Sequence, residues 1–83
     1  MKLSNKSYKG NSNVFISEDG ENIGSLHITH SADELDGFSE SEKKDYIKQQ
    51  ILSGLSHVDF SEYSYDMDNL EDVINHIMIY ANN

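Results

Sequence analysis

The chain has 83 residues, with six lysines, no arginine and fifteen acids, for a formal net charge of −9 at neutral pH. A chain this short buries only about 60% of the surface its unfolded form exposes, which leaves room for one domain over residues 1–83 and a small core. Without cysteine there is neither a disulfide nor a thiolate metal site, which suits a reducing cytoplasm, and the longest apolar run, Ile77 to Tyr80, is too short for a signal peptide core or a membrane span.

The charge is unevenly placed. Lys2, Lys6 and Lys9 all precede Gly10, and from Gly10 onward three lysines stand against all fifteen acids. Such a chain is repelled by nucleic acid and by anionic membranes and attracted to basic surfaces, including those with which other proteins bind nucleic acid. Residues 1–12 are basic and rich in Ser and Asn, with Leu3 and Tyr8 as bulky anchors, and read as a loose arm or a weak edge strand.

A hairpin follows, "NVFIS" and "NIGSLHITH" around an Asp19-Gly20 turn signal. A two-residue loop pairs Glu18 with Glu21 and sends Val14 and Ile16 to the face opposite Leu26 and Ile28. A three-residue loop, Glu18 to Gly20, pairs Ser17 with Glu21 and gathers all four on one side. Burial favours the three-residue loop, which also sets Phe15 opposite Ile23 on the second face.

Ser31 with Glu34, and Ser39 with Glu42, have capping-box spacing, and the second pair opens a helix. Along it Tyr46, Ile47, Ile51, Leu52 and Leu55 recur at helical spacing, with Lys43, Lys44 and Lys48 outward and Gly54 as terminator. "HVDFSEYSYD" reads as a third short strand. A final helix is capped by Asp68 with Glu71 three residues on, and Leu70, Val73, Ile74, Ile77, Met78 and Ala81 form one apolar stripe. The expected fold is α+β in the order β-β-α-β-α, a small antiparallel sheet with both helices on one face.

Catalytic chemistry finds no foothold. There is no nucleophile elbow, no glycine-rich phosphate loop and little volume for a pocket, so the chain is not read as an enzyme and no cofactor is expected. His27 and His30 of "HITH" point to opposite faces of a strand and cannot share a metal, and no acidic run has EF-hand spacing. All four histidines are expected to titrate near neutrality. Direct nucleic-acid binding lacks arginine, and Glu62 and Asp66 flank the tyrosines that could stack bases.

The carboxylates themselves remain, in two groups. One is Asp33, Glu34, Asp36, Glu40, Glu42 and Asp45, before or early in the first helix. The other is "VDFSEYSYDMDNLED", where Asp68, Glu71 and Asp72 suit a helix N-terminus, which favours acids by about 0.3 to 1 kcal/mol each. Asp59, Glu62 and Asp66, interleaved with Tyr63 and Tyr65, have no such reason. Acids two or three residues apart on a strand stand roughly 7 to 10 Å apart, of the order of phosphate spacing. The candidate partner-binding residues are therefore Asp59, Glu62, Tyr63, Tyr65, Asp66, Asp33, Glu34 and Asp36.

In size, charge, lack of cysteine, the "DG" hairpin followed by helices and the run "SEYSYDMDNLED", the chain resembles the small acidic anti-CRISPR and DNA-mimic anti-restriction proteins of phages and mobile elements. The resemblance implies a monomeric or homodimeric inhibitor in the cytoplasm of a bacterial cell. It would fill the nucleic-acid channel of a basic nuclease or effector complex, its carboxylates meeting Arg and Lys and its tyrosines adding apolar contact. Two alternatives stay open: an immunity protein covering a basic nuclease toxin, and an oligomerisation module using Phe15 and Ile23.

Overall fold

A computed structural model describes residues 1–57 and 66–82. Its elements are β1 (Lys2–Tyr8), β2 (Asn11–Glu18), β3 (Glu21–Thr29), α1 (Glu40–His57) and α2 (Met67–Ala81). The strands form an antiparallel meander in the order β1-β2-β3, and the α+β class is as expected from the sequence. Among the described residues the order is β-β-β-α-α, not β-β-α-β-α. The N-terminal segment, expected as a loose arm or weak edge, is a full strand, because burial of Leu3 and a left-handed Gly10 (φ 90°) let it fold back along β2. The strand expected over residues 58–65 lies outside the described residues.

The β2-β3 hairpin shows how parity can be met in two ways. Glu18 pairs with Glu21, so the loop has two residues, and both Asp19 (φ 52°) and Gly20 (φ 81°) are left-handed, as a type I′ turn requires. The additional residue sits in β3 instead: Ser17 pairs with Asn22 and Ile16 with Gly24, leaving Ile23 as a bulge. The bulge shifts parity by one, so Val14, Ile16, Leu26 and Ile28 share a face as expected, although by a different route from a three-residue loop. Phe15 lies opposite Ser25, not Ile23, and Ile23 packs against the core.

Helix α1 begins with the expected capping box, Glu42 N–H donating to Ser39 Oγ at 3.2 Å and Ser39 N–H to Glu42 Oε1 at 3.1 Å. It does not stop at Gly54, which lies inside it. A Cβ at Gly54 would stand 2.8 Å from Leu26 Cδ2, so the glycine is a point of close approach between α1 and β3 rather than a terminator. Lys43 and Lys44 do not simply point outward, for they reach toward α2, with Lys43 Nζ 3.0 Å from Asn82 Oδ1 and Lys44 Nζ 3.9 Å from Glu71.

Helix α2 buries the whole predicted stripe, Leu70, Val73, Ile74, Ile77, Met78 and Ala81. Its cap is Asp66, not Asp68: the Asp66 side chain accepts the Asp68 N–H at 2.9 Å. The helical stripes meet Leu3, Val14, Ile16 and Ile28 in one core, with Ile47, Ile51 and Leu55 from α1.

Each outer strand is met by a helix-borne carboxamide. Asn69 of α2 accepts the Leu3 N–H at 2.7 Å and donates to the Leu3 carbonyl at 3.0 Å, while Gln50 of α1 makes the same two bonds with Thr29 at 3.0 and 2.7 Å. A side-chain amide carries the donor and acceptor that a neighbouring strand would offer, so each plugs one residue of an open sheet edge.

Candidate functional site

Between β3 and α1 the chain makes a turn over residues 32–37, fixed by its own backbone hydrogen bonds. The Leu35 N–H reaches the Ser31 carbonyl at 3.1 Å, and the Phe38 N–H reaches the Leu35 carbonyl at 3.0 Å. Buried Leu35 anchors the turn to the core, and Gly37 (φ 83°) supplies the left-handed step that leads to α1. Asp33 and Asp36 are exposed on this turn, and neither has an ion pair among the described residues.

Glu34 is placed differently. Its Oε2 accepts from the Thr29 hydroxyl at 2.8 Å and from the Tyr46 hydroxyl at 2.8 Å, and its Oε1 accepts from Ser31 Oγ at 3.0 Å. The Thr29 bond first, then those from Tyr46 and Ser31, hold its carboxyl below the usual range, and the same carboxylate pushes the Tyr46 phenol up. Glu34 is thus a clasp that ties β3 to α1 and sets the Tyr46 ring.

Tyr46 meets Phe38 edge to face, ring centroids 5.8 Å apart and planes at 77°. Phe38, Ser41, Glu42, Asp45, Tyr46 and Gln49 line a groove of about 530 Å3. The spacing explains why: residues 38, 42, 45 and 49 follow each other at three or four positions, one face of α1 continued back through its cap. Phe38 also borders a second groove, of about 290 Å3, which Asp36 lines from the turn and Lys43 from α1, the Lys43 ammonium being held by Asn82 Oδ1 at 3.0 Å. The aromatic pair is thereby flanked by Asp36 on one side and Glu42 and Asp45 on the other. Such an arrangement can receive a cationic side chain, with carboxylates for the charge and ring faces for the flat or methylene part.

The predicted partner-binding residues divide accordingly. Asp36 lies at this site and Asp33 on the adjoining turn, both without an ion pair among the described residues, and Glu34 lies there with its oxygens already engaged. Asp66, expected to have no structural reason, is the N-cap of α2. Asp59, Glu62, Tyr63 and Tyr65 lie outside the described residues. The aromatic groove was missed, since Tyr46 reads as part of the apolar stripe of α1 and Phe38, outside that stripe, carries no signal of its own. Its stripe of Phe38, Glu42, Asp45 and Gln49 was available as a signal, whereas the Tyr46–Glu34 bond joins residues with no shared periodicity.

Burial lowers His30 below the usual imidazole value of 6.5. Ser12 Oγ lies 2.7 Å from His30 Nε2 and 2.8 Å from Ser7 Oγ, so the imidazole is held in a buried polar row, with Nδ1 enclosed. Among the described residues no group of three or more His, Asp or Glu converges as a metal would require, and no helix is long and apolar enough to cross a membrane.

Fold and surface together define an α+β protein with acids set around an aromatic groove beside its first helix. No family model, no curated protein and no solved structure matches the chain.

Proposed function

We propose that this protein is an acidic inhibitor that occupies a basic, nucleic-acid-binding surface of a target protein, acting as an anti-defence protein of the anti-CRISPR type by mimicry of nucleic acid. The observation that carries the reading is the set Asp36, Glu42 and Asp45 around the Phe38–Tyr46 pair, with Asp33 beside it, none of them ion-paired among the described residues. Solvated acids that merely aid solubility need no such arrangement. Here the neighbouring carboxylates Glu42 and Asp45, one helical turn apart, have Cβ atoms about 5 to 6 Å from each other, of the order of successive phosphates, with an aromatic surface between their side chains and the turn. Lysines and arginines that grip a phosphate backbone would meet carboxylates in its place, and the stems of those side chains would lie on the rings.

The oligomerisation alternative is less well supported, because its apolar pair is not a pair: Phe15 faces Ser25, and Ile23 turns to the core. The test uses the immobilised protein and a bacterial lysate cleared of nucleic acid. Basic proteins should be retained at low salt and released by added DNA or RNA. Asp33→Asn, Asp36→Asn and Asp45→Asn combined should weaken retention about tenfold or more while leaving the fold intact. If nothing basic is held at low salt, or if the triple variant holds as well as the original, the proposal fails.

A further inference from the structure

The opposite flank of the molecule has a different chemistry. Strand β1 is an outer strand, paired with β2 on one side only. Its Leu3 N–H and carbonyl point away from β2, for they are the groups that Asn69 engages. In an antiparallel pair this orientation alternates, so the N–H and carbonyl of Asn5 and Ser7 also face outward. No side chain of the described residues meets those two residues as Asn69 meets Leu3.

Along this edge runs a trough between β1 and α2. One part, about 350 Å3, is lined by Leu3, Ser4, Asn5, Asn69, Asp72, Val73 and His76. The next, about 470 Å3, is lined by Asn5, Lys6, Ser7, His76, Ile79 and Tyr80, and shares Asn5 and His76 with the first. Ile79 is 58% exposed and Tyr80 42% exposed, so the helical wall is apolar toward the Ser7 end.

We propose that β1 takes up an extended acidic segment of another protein as a fourth strand, bonded to the backbone of Asn5 and Ser7 and lying in the trough beside α2. Main-chain bonds would give the attachment, and alternate side chains of the guest would give selectivity. The guest residue facing Lys6 on the open side of the sheet is an acid, and its neighbours, turned to the helix side, are apolar and rest on Ile79 and Tyr80. Charge settles the occupant. Lys2 and Lys6 stand on the open face of β1 and Lys9 follows in the turn, in a chain that is otherwise strongly acidic, whereas Asp72 of the trough belongs to the helix side, away from the guest's acid. A second copy fits poorly: the antiparallel register that uses both open residues pairs Asn5 with Ser7 of the other copy and sets Lys6 directly against its own counterpart, and like charges opposite each other are unfavourable. This inference does not rest on the acid-rimmed groove.

The test is amide NMR of the whole protein with three blocked peptides, Val-Glu-Val-Glu-Val, Val-Lys-Val-Lys-Val and Val-Glu-Pro-Glu-Val. The alternating acidic peptide should shift the Asn5 and Ser7 amides and slow their hydrogen exchange severalfold, the lysine peptide at least threefold less, and the proline peptide not at all. Lys6→Glu, an exposed change, should leave the spectrum folded and reverse the preference between the first two. Absence of shifts at millimolar acidic peptide, equal response to the lysine peptide, or the same shifts appearing with protein concentration alone, as self-association would give, each overturn the proposal.

Discussion

Asp66 shows how one side chain can carry both the fold and the charge. As the N-cap of α2 it satisfies the Asp68 N–H, and its loss to alanine should cost about 0.5 to 2 kcal/mol in denaturant unfolding, whereas Asp66→Asn, which keeps an accepting oxygen, should stay within a few tenths of the original. His30 makes a prediction of another kind. Its folded pKa is lowered, so the unfolded chain binds the proton more readily, and the stability tied to a neutral His30 is complete above about pH 6.5 and declines as pH falls through that value. Unfolding measured between pH 7.5 and 5 should show this slope, and His30→Gln should flatten it; an unchanged slope would place the proton elsewhere. Glu34 works in a lower window: its folded pKa is depressed, so its contribution is present above the ordinary carboxylate range and lost as pH falls below it. The contact of Glu34 with Ser31 was legible from its spacing, but the rest of its role and that of His30 were not. The partners of Glu34, Thr29 and Tyr46, come from different elements, and the enclosure of His30 depends on Ser12 and Ser7 across the sheet.

At the scale of elements, what could be read were the features with a strong local period. The α2 stripe was complete, because six apolar residues at helical spacing admit one buried face, and Ile74→Ala or Ile77→Ala should each lower stability by about 2 to 5 kcal/mol with little change in far-UV signal. A loss below 1 kcal/mol would mean that this helix packs differently. The α1 capping box was equally plain. Three features were not. The N-terminal strand has only Leu3 as a buried apolar residue, too little for a period-2 signal, and its place is held by pairing with β2 and by the Asn69 carboxamide. The Ile23 bulge and a longer loop satisfy the same hydrophobic parity, so the pattern alone could not separate them. Gly54 looked like a helix end, but the demand it meets is the approach of Leu26 from another element.

Charge is unevenly spread over the molecule. Lysines 2, 6 and 9 lie on or just after β1, and acids crowd the turn over 32–37 and the starts of both helices, the start of α2 lying beside β1. The helix macrodipole stabilises part of that crowd, so those acids need no partner to persist; Asp33, Asp36 and Asp45, exposed and without ion pairs among the described residues, gain less from it and are the ones a partner would find available. The sequence disclosed that the acids outnumber the lysines. It could not disclose that the turn and the first turns of α1 bring Asp36, Glu42 and Asp45 around one aromatic pair, since that depends on the Glu34 clasp and the position of Phe38. Competition for a basic surface is measured by titrating a nucleic acid onto the basic protein retained from the lysate, with and without this chain at saturating concentration. The apparent Kd for the nucleic acid should rise at least about tenfold, and the rise should disappear at high salt and with the Asp33, Asp36 and Asp45 triple variant. A stable ternary complex in which the nucleic acid binds with unchanged affinity would contradict it.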